Sequence, residues 1–315
     1  MEHQRLDRRR LQVRPNAVCT LTLDRRLPEW RPLLCNPCHY RIGGNALRPY
    51  LASPIGFKLE NGVGTITLNR PEARNSISEG MFASLLVILT ECRGNKSLQV
   101  LVIEAEGPVF CAGGDVQFFQ QLLAVSPRER KQMLTRYIGL AHHVILALAE
   151  IPCLVIAAVR GAAAGYGMSL ACAADILLAE QGSRFVPAYA ALGTTPDGGL
   201  TYRLPTLIGE KRALEVLSTN RPLRAEEALA WGLVNRVADV GNLDQTVADV
   251  VEKLSAGSLS AQLRMKALLA QRRLAELATQ LDEELQSFIL CSDSSDFIEG
   301  VQAFLEKREP RFGQG

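Results

Sequence analysis

Two short turns rich in small residues carry the first indication of chemistry in this sequence. One covers residues 111–115 (CAGGD) and the other covers residues 161–167 (GAAAGYG). Each turn follows a strand-like run and precedes a helical stretch, so its backbone N–H groups lie near a helix start, where partial positive charge collects. Two such turns facing one point would form an oxyanion hole for an enolate-like transition state. Gly and Ala also permit tight packing of helices on strands, and spacing alone leaves both interpretations open.

A C-x-x-C-H pattern at residues 35–39 (CNPCH) matches the attachment signature of c-type haem. Covalent haem attachment needs an exported protein, and the basic start of the chain is followed by polar residues instead of an apolar signal core. A zinc site that also used Cys19 would lack a paired second half-site. The pattern is therefore interpreted as accidental.

Hydrophobic patterning predicts alternating strands and helices from Ile55 onward. The predicted strands are 55–60, 64–68, 100–105, 154–159 and 175–179. The predicted helices are 79–92, 116–125, 128–149, 168–173, 210–217, 225–231 and 243–255, with three amphipathic stretches between 260 and 307. This alternation indicates an α/β fold, and the two turns lie at the strand-to-helix junctions of that fold.

Composition and charge exclude several classes of protein. The chain has 315 residues, 47% hydrophobic and 22% charged, which argues against a disordered or fibrous protein. No run approaches the roughly 18 consecutive apolar residues of a membrane span. Residues 1–50 carry ten Arg against four acids, whereas the rest is mildly acidic, so we expect no nucleic-acid partner. The eight cysteines are scattered, as expected for reduced thiols in a cytoplasmic protein.

Three segments are predicted along the chain. Residues 1–52 form an Arg-rich extension without sustained periodicity, which we expect to be disordered. Residues 53–250 form the α/β core, and residues 251–315 form a helical C-terminal region.

Seven short segments carry a family resemblance, and they occur in order. They are residues 68–71 (LNRP), 110–115 (FCAGGD), 157–161 (AAVRG), 165–167 (GYG), 174–176 (ADI), 228–237 (ALAWGLVNRV) and 304–308 (FLEKR). Residues 53–313 thereby resemble the crotonase (enoyl-CoA hydratase/isomerase) superfamily, in particular its isomerase-type members. The resemblance implies a spiral core of ββα units, a C-terminal helical region used in trimer assembly, and an acyl-CoA thioester substrate.

The resemblance also implies a set of site residues. The oxyanion donors correspond to the N–H groups of Gly114 and Tyr166. The positions that would contact the substrate or its coenzyme A moiety are Arg74, Ser76, Asp115, Val116, Tyr189 and Lys307. Of these, Asp115 is expected to be structural and not catalytic. Coenzyme A enters as part of the substrate, so no separate cofactor and no metal are expected.

Two positions separate the possible reactions. Hydratases that resemble crotonase use two glutamates to activate water, and the corresponding positions here are Ser169 and Tyr189. Neither side chain is a carboxylate base at neutral pH, so hydration would need unusual acid and base residues. Asp197, in the sequence Pro-Asp-Gly-Gly, instead matches the single proton-shuttling acid of enoyl-CoA isomerases. By residue types alone, Asp197 is interpreted as an ordinary turn residue. The family resemblance favours the interpretation that Asp197 is catalytic.

Two further alternatives remain. A 4-chlorobenzoyl-CoA dehalogenase-like enzyme uses an Asp at the position of Asp197 as a nucleophile. It also has an aromatic residue eight positions earlier, matched here by Tyr189, and a His base on the preceding long helix. His142 and His143 lie on that helix, in an uncertain register. A non-catalytic crotonase-fold binding protein would need neither Asp197 nor intact turns. The sequence therefore predicts a cytoplasmic enoyl-CoA isomerase of fatty acid metabolism that assembles as a homotrimer or hexamer, with lyase (hydratase) activity as an alternative.

Overall fold

The structure, a computed structural model, describes residues 54–270 and 273–313. The predicted disordered extension, its boundary at residue 52 and the cysteine pattern at residues 35–39 lie outside the described residues. The predicted division between residues 250 and 251 falls within a helix of the structure and stays a prediction.

The larger sheet has six strands, and it is parallel except for its first pair. Its strands, in spatial order, are β1 (Ile55–Glu60), β2 (Val63–Leu68), β3 (Val100–Ala105), β4 (Leu154–Val159), β6 (Ile176–Glu180) and β9 (Arg236–Ala238). A tight turn at Asn61 and Gly62, both with positive φ, joins the antiparallel pair β1 and β2. Strands β3 and β4 are nearly continuous apolar runs because helices cover both faces of the sheet.

A smaller sheet lies beside the two small-residue turns. Its strands are β5 (Ala162–Ala164), β7 (Arg184–Val186) and β8 (Leu223–Arg224). Strand β5 pairs parallel to β7, and β8 pairs antiparallel to β7. The second predicted turn is therefore partly a strand.

Helices surround the sheets and fill the C-terminal third. They are α1 (Glu79–Gly94), α2 (Val116–Leu123), α3 (Pro127–Glu150), α4 (Tyr166–Ala173), α5 (Leu200–Ile208), α6 (Glu210–Thr219), α7 (Ala225–Ala230), α8 (Leu243–Ser255), α9 (Leu259–Ala270), α10 (Arg273–Cys291) and α11 (Ser295–Glu306). A reciprocal capping box between Ser126 and Glu129 fixes the start of α3. Within the described residues, no helix has the length and apolar character needed to cross a bilayer.

The α/β prediction is confirmed, and most predicted elements end within a few residues of the observed ones. The prediction missed α5, because this helix follows two glycines and contains Pro205. It also missed the short strands β5, β7, β8 and β9. Two- and three-residue strands carry too few side chains to show a period.

Three helices meet in one aromatic cluster beneath the turns. Phe82 of α1 packs edge-on against Tyr137 of α3, with ring centroids 5.2 Å apart, and against Tyr166 of α4, with centroids 5.0 Å apart. All three rings are buried. Edge-to-face pairs of this kind hold their partners at a defined angle, so the cluster fixes the start of α4 relative to α1 and α3.

Gly161 allows the chain to enter β5 across the loop that follows β3. Its φ is +70°, and an added Cβ would lie 1.9 Å from the carbonyl oxygen of Pro108. Gly182 has a comparable φ of +85° but open space around its Cα. Comparing alanine substitutions at Gly161 and Gly182 therefore distinguishes the energetic cost of a positive φ from that of a steric collision with the backbone.

We expect Gly161→Ala to lower the free energy of unfolding by roughly 1–3 kcal/mol more than Gly182→Ala. Both variants carry the left-handed backbone penalty of about 1–2 kcal/mol, and only the first adds a collision. Urea unfolding of the two variants measures the difference. An equal loss of unfolding free energy in the two variants would show that the backbone near Pro108 moves away from the added Cβ at no energetic cost.

Candidate active site

The first turn, residues 111–115, is held by the segment that follows β2. The Asn75 side-chain amide donates to the carbonyl oxygens of Glu106 and Val109, at 2.9 and 2.8 Å. Ala112 N donates to the carbonyl of Arg74, and Ile77 N donates to that of Gly113. Asn75 is fully buried, so it acts as an internal brace for the loop between β3 and the turn.

The second turn lies directly against the first. Cys111 N donates to the carbonyl of Ala162, and Ala164 N donates to the carbonyl of Cys111. The backbone segments of the two turns therefore pair in parallel, as two strands of a sheet do. Gly113 has a φ of +96° and an added Cβ would lie 3.0 Å from the Ala164 carbonyl oxygen, while a Cβ added to Gly167 would lie 2.4 Å from the Cys111 carbonyl oxygen. Glycine is therefore required for this approach.

The two predicted oxyanion donors have no competing acceptor within the described part of the chain. Neither Gly114 N nor Tyr166 N donates a backbone hydrogen bond there, and both residues line one cavity. Tyr166 is the first residue of α4, where an N–H has no partner inside the helix. Asp115 N differs, since it donates to Tyr137 Oη at 3.0 Å, and Tyr137 Oη donates to the Ile77 carbonyl.

The cavity has a volume of about 330 Å³ and a largely aromatic wall. It is lined by Phe82, Ala112, Gly113, Gly114, Phe119, Tyr137, Gly165, Tyr166, Ala188, Tyr189, Ala191, Leu192, Asp197, Asn220, Phe288, Phe304, Arg308, Glu309 and Pro310. Four predicted site residues line this cavity: Gly114, Tyr166, Tyr189 and Asp197. Sequence patterns gave no signal for Phe82 or Phe288, because elements far apart in the chain supply them, whereas Phe304 begins the last of the seven segments that carry the family resemblance.

Asp197 is buried, and two hydroxyl-bearing side chains hold it, one at its carboxylate and one at its backbone. Tyr189 Oη donates to Asp197 Oδ1 at 2.6 Å, and Ser169 Oγ donates to the backbone carbonyl of Asp197 at 2.8 Å. Ser169 Oγ and Tyr189 Oη are themselves 3.0 Å apart. The two positions that the family resemblance aligns with the hydratase glutamates therefore meet Asp197 in one hydrogen-bonded cluster.

Burial governs the electrostatics of this cluster. Loss of solvent raises the pKa of Asp197 from 3.8 to about 6, against the lowering effect of the hydrogen bond from Tyr189. Burial and the neighbouring Asp197 charge raise the pKa of Tyr189 well above its usual 10, so Tyr189 stays a phenol. Asp197 is thus mostly a carboxylate at neutral pH, yet basic enough to accept and return a proton.

The predicted coenzyme A contacts lie outside the cavity lining. Arg74 adopts a left-handed backbone conformation, and its carbonyl supports the first turn. Ser76 is buried, whereas Val116 and Lys307 are exposed at the start of α2 and the end of α11. None of these four residues is part of the cavity lining.

Asp115 has a structural role. Its Oδ1 accepts from Gln117 N at 3.0 Å and caps α2, and its Oδ2 pairs with Arg70 at 2.6 Å. These contacts agree with the expectation that Asp115 is not catalytic.

Neither histidine of α3 lines the cavity. His142 is buried and its Nε2 has no hydrogen-bond partner among the described residues, while burial lowers its pKa to about 3. His143 is exposed, with Nδ1 2.6 Å from the Gly139 carbonyl. The described residues also contain no group of three or more His, Cys, Asp or Glu side chains arranged to bind a metal ion.

Comparison with known proteins gives a consistent family. The sequence model described as enoyl-CoA hydratase/isomerase matches residues 58–315. The chain is 36% identical over 260 residues to 1,2-epoxyphenylacetyl-CoA isomerase of Escherichia coli (strain K12), covering 81% of this chain and 96% of that protein. It is 33% identical over 258 residues to trans-2-decenoyl-(acyl-carrier-protein) isomerase of Streptococcus mutans serotype c (strain ATCC 700610 / UA159), covering 82% and 97%.

A solved structure adds the fold. An enoyl-CoA hydratase from Mycobacterium avium subsp. paratuberculosis K-10 aligns with a TM-score of 0.75 and 28% identity, over 83% of this chain and 99% of that one. Isomerases and a hydratase are thus both among the similar proteins.

The backbone donor of Gly114 is testable with a matched pair of variants. An added Cβ would meet Phe119 Cε2 at 2.7 Å in Gly114→Ala and in Gly114→Pro, but only proline removes the N–H. We expect turnover of an acyl-CoA thioester to fall about 10²-fold or more further in Gly114→Pro than in Gly114→Ala. Steady-state kinetics on folded protein measure the ratio, and equal rates would remove Gly114 from the oxyanion hole.

Proposed function

The chain belongs to the enoyl-CoA hydratase/isomerase family, and we propose that it moves a double bond within an acyl-CoA thioester, from the 3,4 to the 2,3 position or in a ring-type acyl group. The observation that carries this proposal is a buried carboxylate, Asp197, on the same cavity as two backbone N–H groups, of Gly114 and Tyr166, that donate to no acceptor in the part of the chain that the structure describes. A double-bond shift needs one base and one oxyanion site. Both kinds of group are present here.

The reaction begins with removal of a proton from C2. The thioester carbonyl acidifies this proton, and the Asp197 carboxylate accepts it. The electron pair moves onto the carbonyl oxygen to form a dienolate. The N–H groups of Gly114 and Tyr166 stabilise the negative oxygen, because in a site that excludes water such donors act without solvent reorganisation.

The reaction ends with return of the proton to C4. The now neutral Asp197 donates it, the dienolate collapses to a 2,3 double bond, and the carboxylate is restored. One carboxyl group serves both steps because its raised pKa lies close to neutrality. The Tyr189 hydroxyl holds the carboxylate at 2.6 Å and orients it throughout.

Hydration is the less favoured reaction for this site. It would require two groups to position and deprotonate water, and the positions of the two hydratase glutamates hold Ser169 and Tyr189. Both hydroxyls stay protonated at neutral pH. The other carboxylate on the cavity, Glu309, is exposed and lies in the C-terminal segment after α11.

Dehalogenation is also less favoured. The Asp197 carboxylate and the aromatic Tyr189 would suit a nucleophilic mechanism, but that mechanism needs a histidine base near the acyl group. His142 and His143 are both outside the cavity lining. A non-catalytic binding role would leave the buried Asp197 and the exact fit of the two turns without a purpose.

The surroundings suit a coenzyme A ester as the substrate. Arg74, Ser76, Asp115 and Val116 lie in or next to the segments that form the first turn, where the pantetheine and adenine would pass, and Lys307 precedes Arg308 of the cavity lining. In this proposal coenzyme A is part of the substrate, no further cofactor or metal takes part, and the chain works as a homotrimer or hexamer in the cytoplasm.

We expect Asp197→Asn to slow isomerisation by about 10²–10⁴-fold while binding of the ester persists, because Asn keeps the shape but not the basicity. A panel of 2-enoyl-, 3-enoyl- and aromatic acyl-CoAs in D2O, followed by mass spectrometry, reports exchange at C2, bond migration, water addition and halide loss. Asp175→Asn is the matched control, since Asp175 accepts from Val155 N and Lys266 Nζ and does not line the cavity. Isomerisation by Asp197→Asn at the wild-type rate would refute the proposal.

The pH dependence follows from the same residue. Only the carboxylate form accepts the C2 proton, so kcat/KM should fall as the pH drops through about 6. The hydrogen bond from Tyr189 lowers the pKa of Asp197, so Tyr189→Phe should move this midpoint to higher pH. A wild-type midpoint at the ordinary value of 3.8, or no shift in the variant, would contradict this assignment.

A further inference from the structure

A second buried carboxylate, Glu284, lies behind the Asp197 loop and outside the cavity lining. It is on α10, where Leu277, Leu281, Glu284 and Phe288 form one buried stripe at helical spacing. Three of these four side chains are apolar. A carboxylate in such a stripe is costly to bury unless hydrogen bonds satisfy it.

The Glu284 carboxylate is satisfied by the chain immediately after Asp197. Its Oε2 accepts from Gly199 N at 2.7 Å, and its Oε1 accepts from Thr201 N at 2.9 Å and from the Thr201 hydroxyl. These groups are at the start of α5. A single residue, Gly198, separates Asp197 from the first of them.

The same loop is packed tightly on both sides. Gly198 and Gly199 have φ values of +67° and +75°. A Cβ added to Gly198 would lie 2.7 Å from Ser169 Cβ, and one added to Gly199 would lie 2.8 Å from Leu277 Cδ1. The loop therefore fits between α4 and α10, with Glu284 as its polar attachment.

We propose that Glu284 is a positioning residue for the reaction, which fixes the Asp197 carboxylate relative to Gly114 and Tyr166 by holding the backbone of Gly199 and Thr201. The inference rests on the proposed function. Glu284 touches no reacting atom, and it acts through the two glycines that follow Asp197. Helix α10 thus serves the site twice, since its Phe288 lines the cavity.

The electrostatic surroundings connect the two carboxylates. Burial, with a smaller contribution from the negative charge of Asp197, raises the pKa of Glu284 from 4.5 to about 7 against the lowering effect of its hydrogen bonds. The groups that face Glu284 are Asp197 and Tyr189 of the Asp197 cluster, Thr201 on α5 and His142 on α3, whose Nε2 is 3.9 Å from Glu284 Oε2. The charge of Asp197 thus disfavours the ionised form of Glu284.

The test compares Glu284→Gln with Glu180→Gln. Gln keeps the size of Glu284, but its NH2 group faces a backbone N–H, so one hydrogen bond is replaced by a repulsive contact. Glu180 is a matched control because it is buried, accepts from Gly241 N at 3.0 Å and does not line the cavity. Both variants are assayed with the 3-enoyl-CoA that the wild-type chain converts fastest.

We expect Glu284→Gln to lower kcat by about 10-fold to 10²-fold, the effect of a small misplacement of a reacting group. KM should stay within about twofold, because Glu284 lies outside the cavity lining, so the loss should fall on kcat and not on binding. Glu180→Gln should leave kcat unchanged. A wild-type kcat in Glu284→Gln, or an equal loss of kcat in both variants, would overturn the inference.

Two further variants keep the test decisive. If Glu284→Gln does not fold, Glu284→Asp takes its place, since it keeps the charge but cannot reach both N–H groups; loss of kcat at constant KM supports the inference, and a wild-type kcat overturns it. Asp197→Asn separates the two proposals. An inactive Asp197→Asn beside a fully active Glu284→Gln would reject only the positioning role, whereas an active Asp197→Asn would reject the proposed function itself.

Discussion

The close approach of the two turns is the constraint on which the rest of the site depends. The backbone around Cys111 is hydrogen-bonded between Ala162 and Ala164, and Gly113 lies against the start of α4. A Cβ added to Gly161 would lie 1.9 Å from the Pro108 carbonyl oxygen, and one added to Gly167 would lie 2.4 Å from the Cys111 carbonyl oxygen. As a result of this packing, Gly114 and Tyr166 line one cavity, and their N–H groups have no backbone acceptor in the described residues. Turns that packed less closely would not hold the two N–H groups together in this way.

Once the turns are fixed, the apolar lining of the cavity controls the protonation of Asp197. Burial raises the pKa of Asp197 to about 6. Hydrogen bonds act more strongly where the local dielectric is low, so in the proposed reaction the same apolar surroundings would strengthen donation from Gly114 N and Tyr166 N. One feature, the apolar lining, would thus tune both the base and the oxyanion site, while the hydrogen bond from Tyr189 orients the carboxylate and offsets part of the rise in its pKa.

Much of this fold was predictable from local pattern, and the site was predictable in part. The runs that became β3 and β4 are apolar on both faces, and the two turns stand out by composition. Asp197 was separable from an ordinary turn residue only through the family resemblance. The sequence analysis missed Glu284 and Phe288 because they lie more than eighty residues after Asp197, and contacts at that separation leave no period in the sequence. The one available signal was a glutamate at an apolar position of the α10 stripe.

The hydroxyls at positions 169 and 189 suit a single carboxylate in the proposed reaction. Ser169 Oγ lies 3.0 Å from Tyr189 Oη, which lies 2.6 Å from Asp197 Oδ1. If both hydroxyl positions carried glutamates, three carboxyl groups would lie close together in a buried site. They could not all ionise, because like charges at this range raise each other's pKa. If these positions are those of the hydratase glutamates, as the family resemblance implies, a pair of water-activating glutamates and a single proton-shuttling Asp would be alternative solutions at one place in the fold. A neutral Ser and Tyr leave Asp197 free to be the charged group; Tyr189 donates to its carboxylate and Ser169 to its backbone carbonyl.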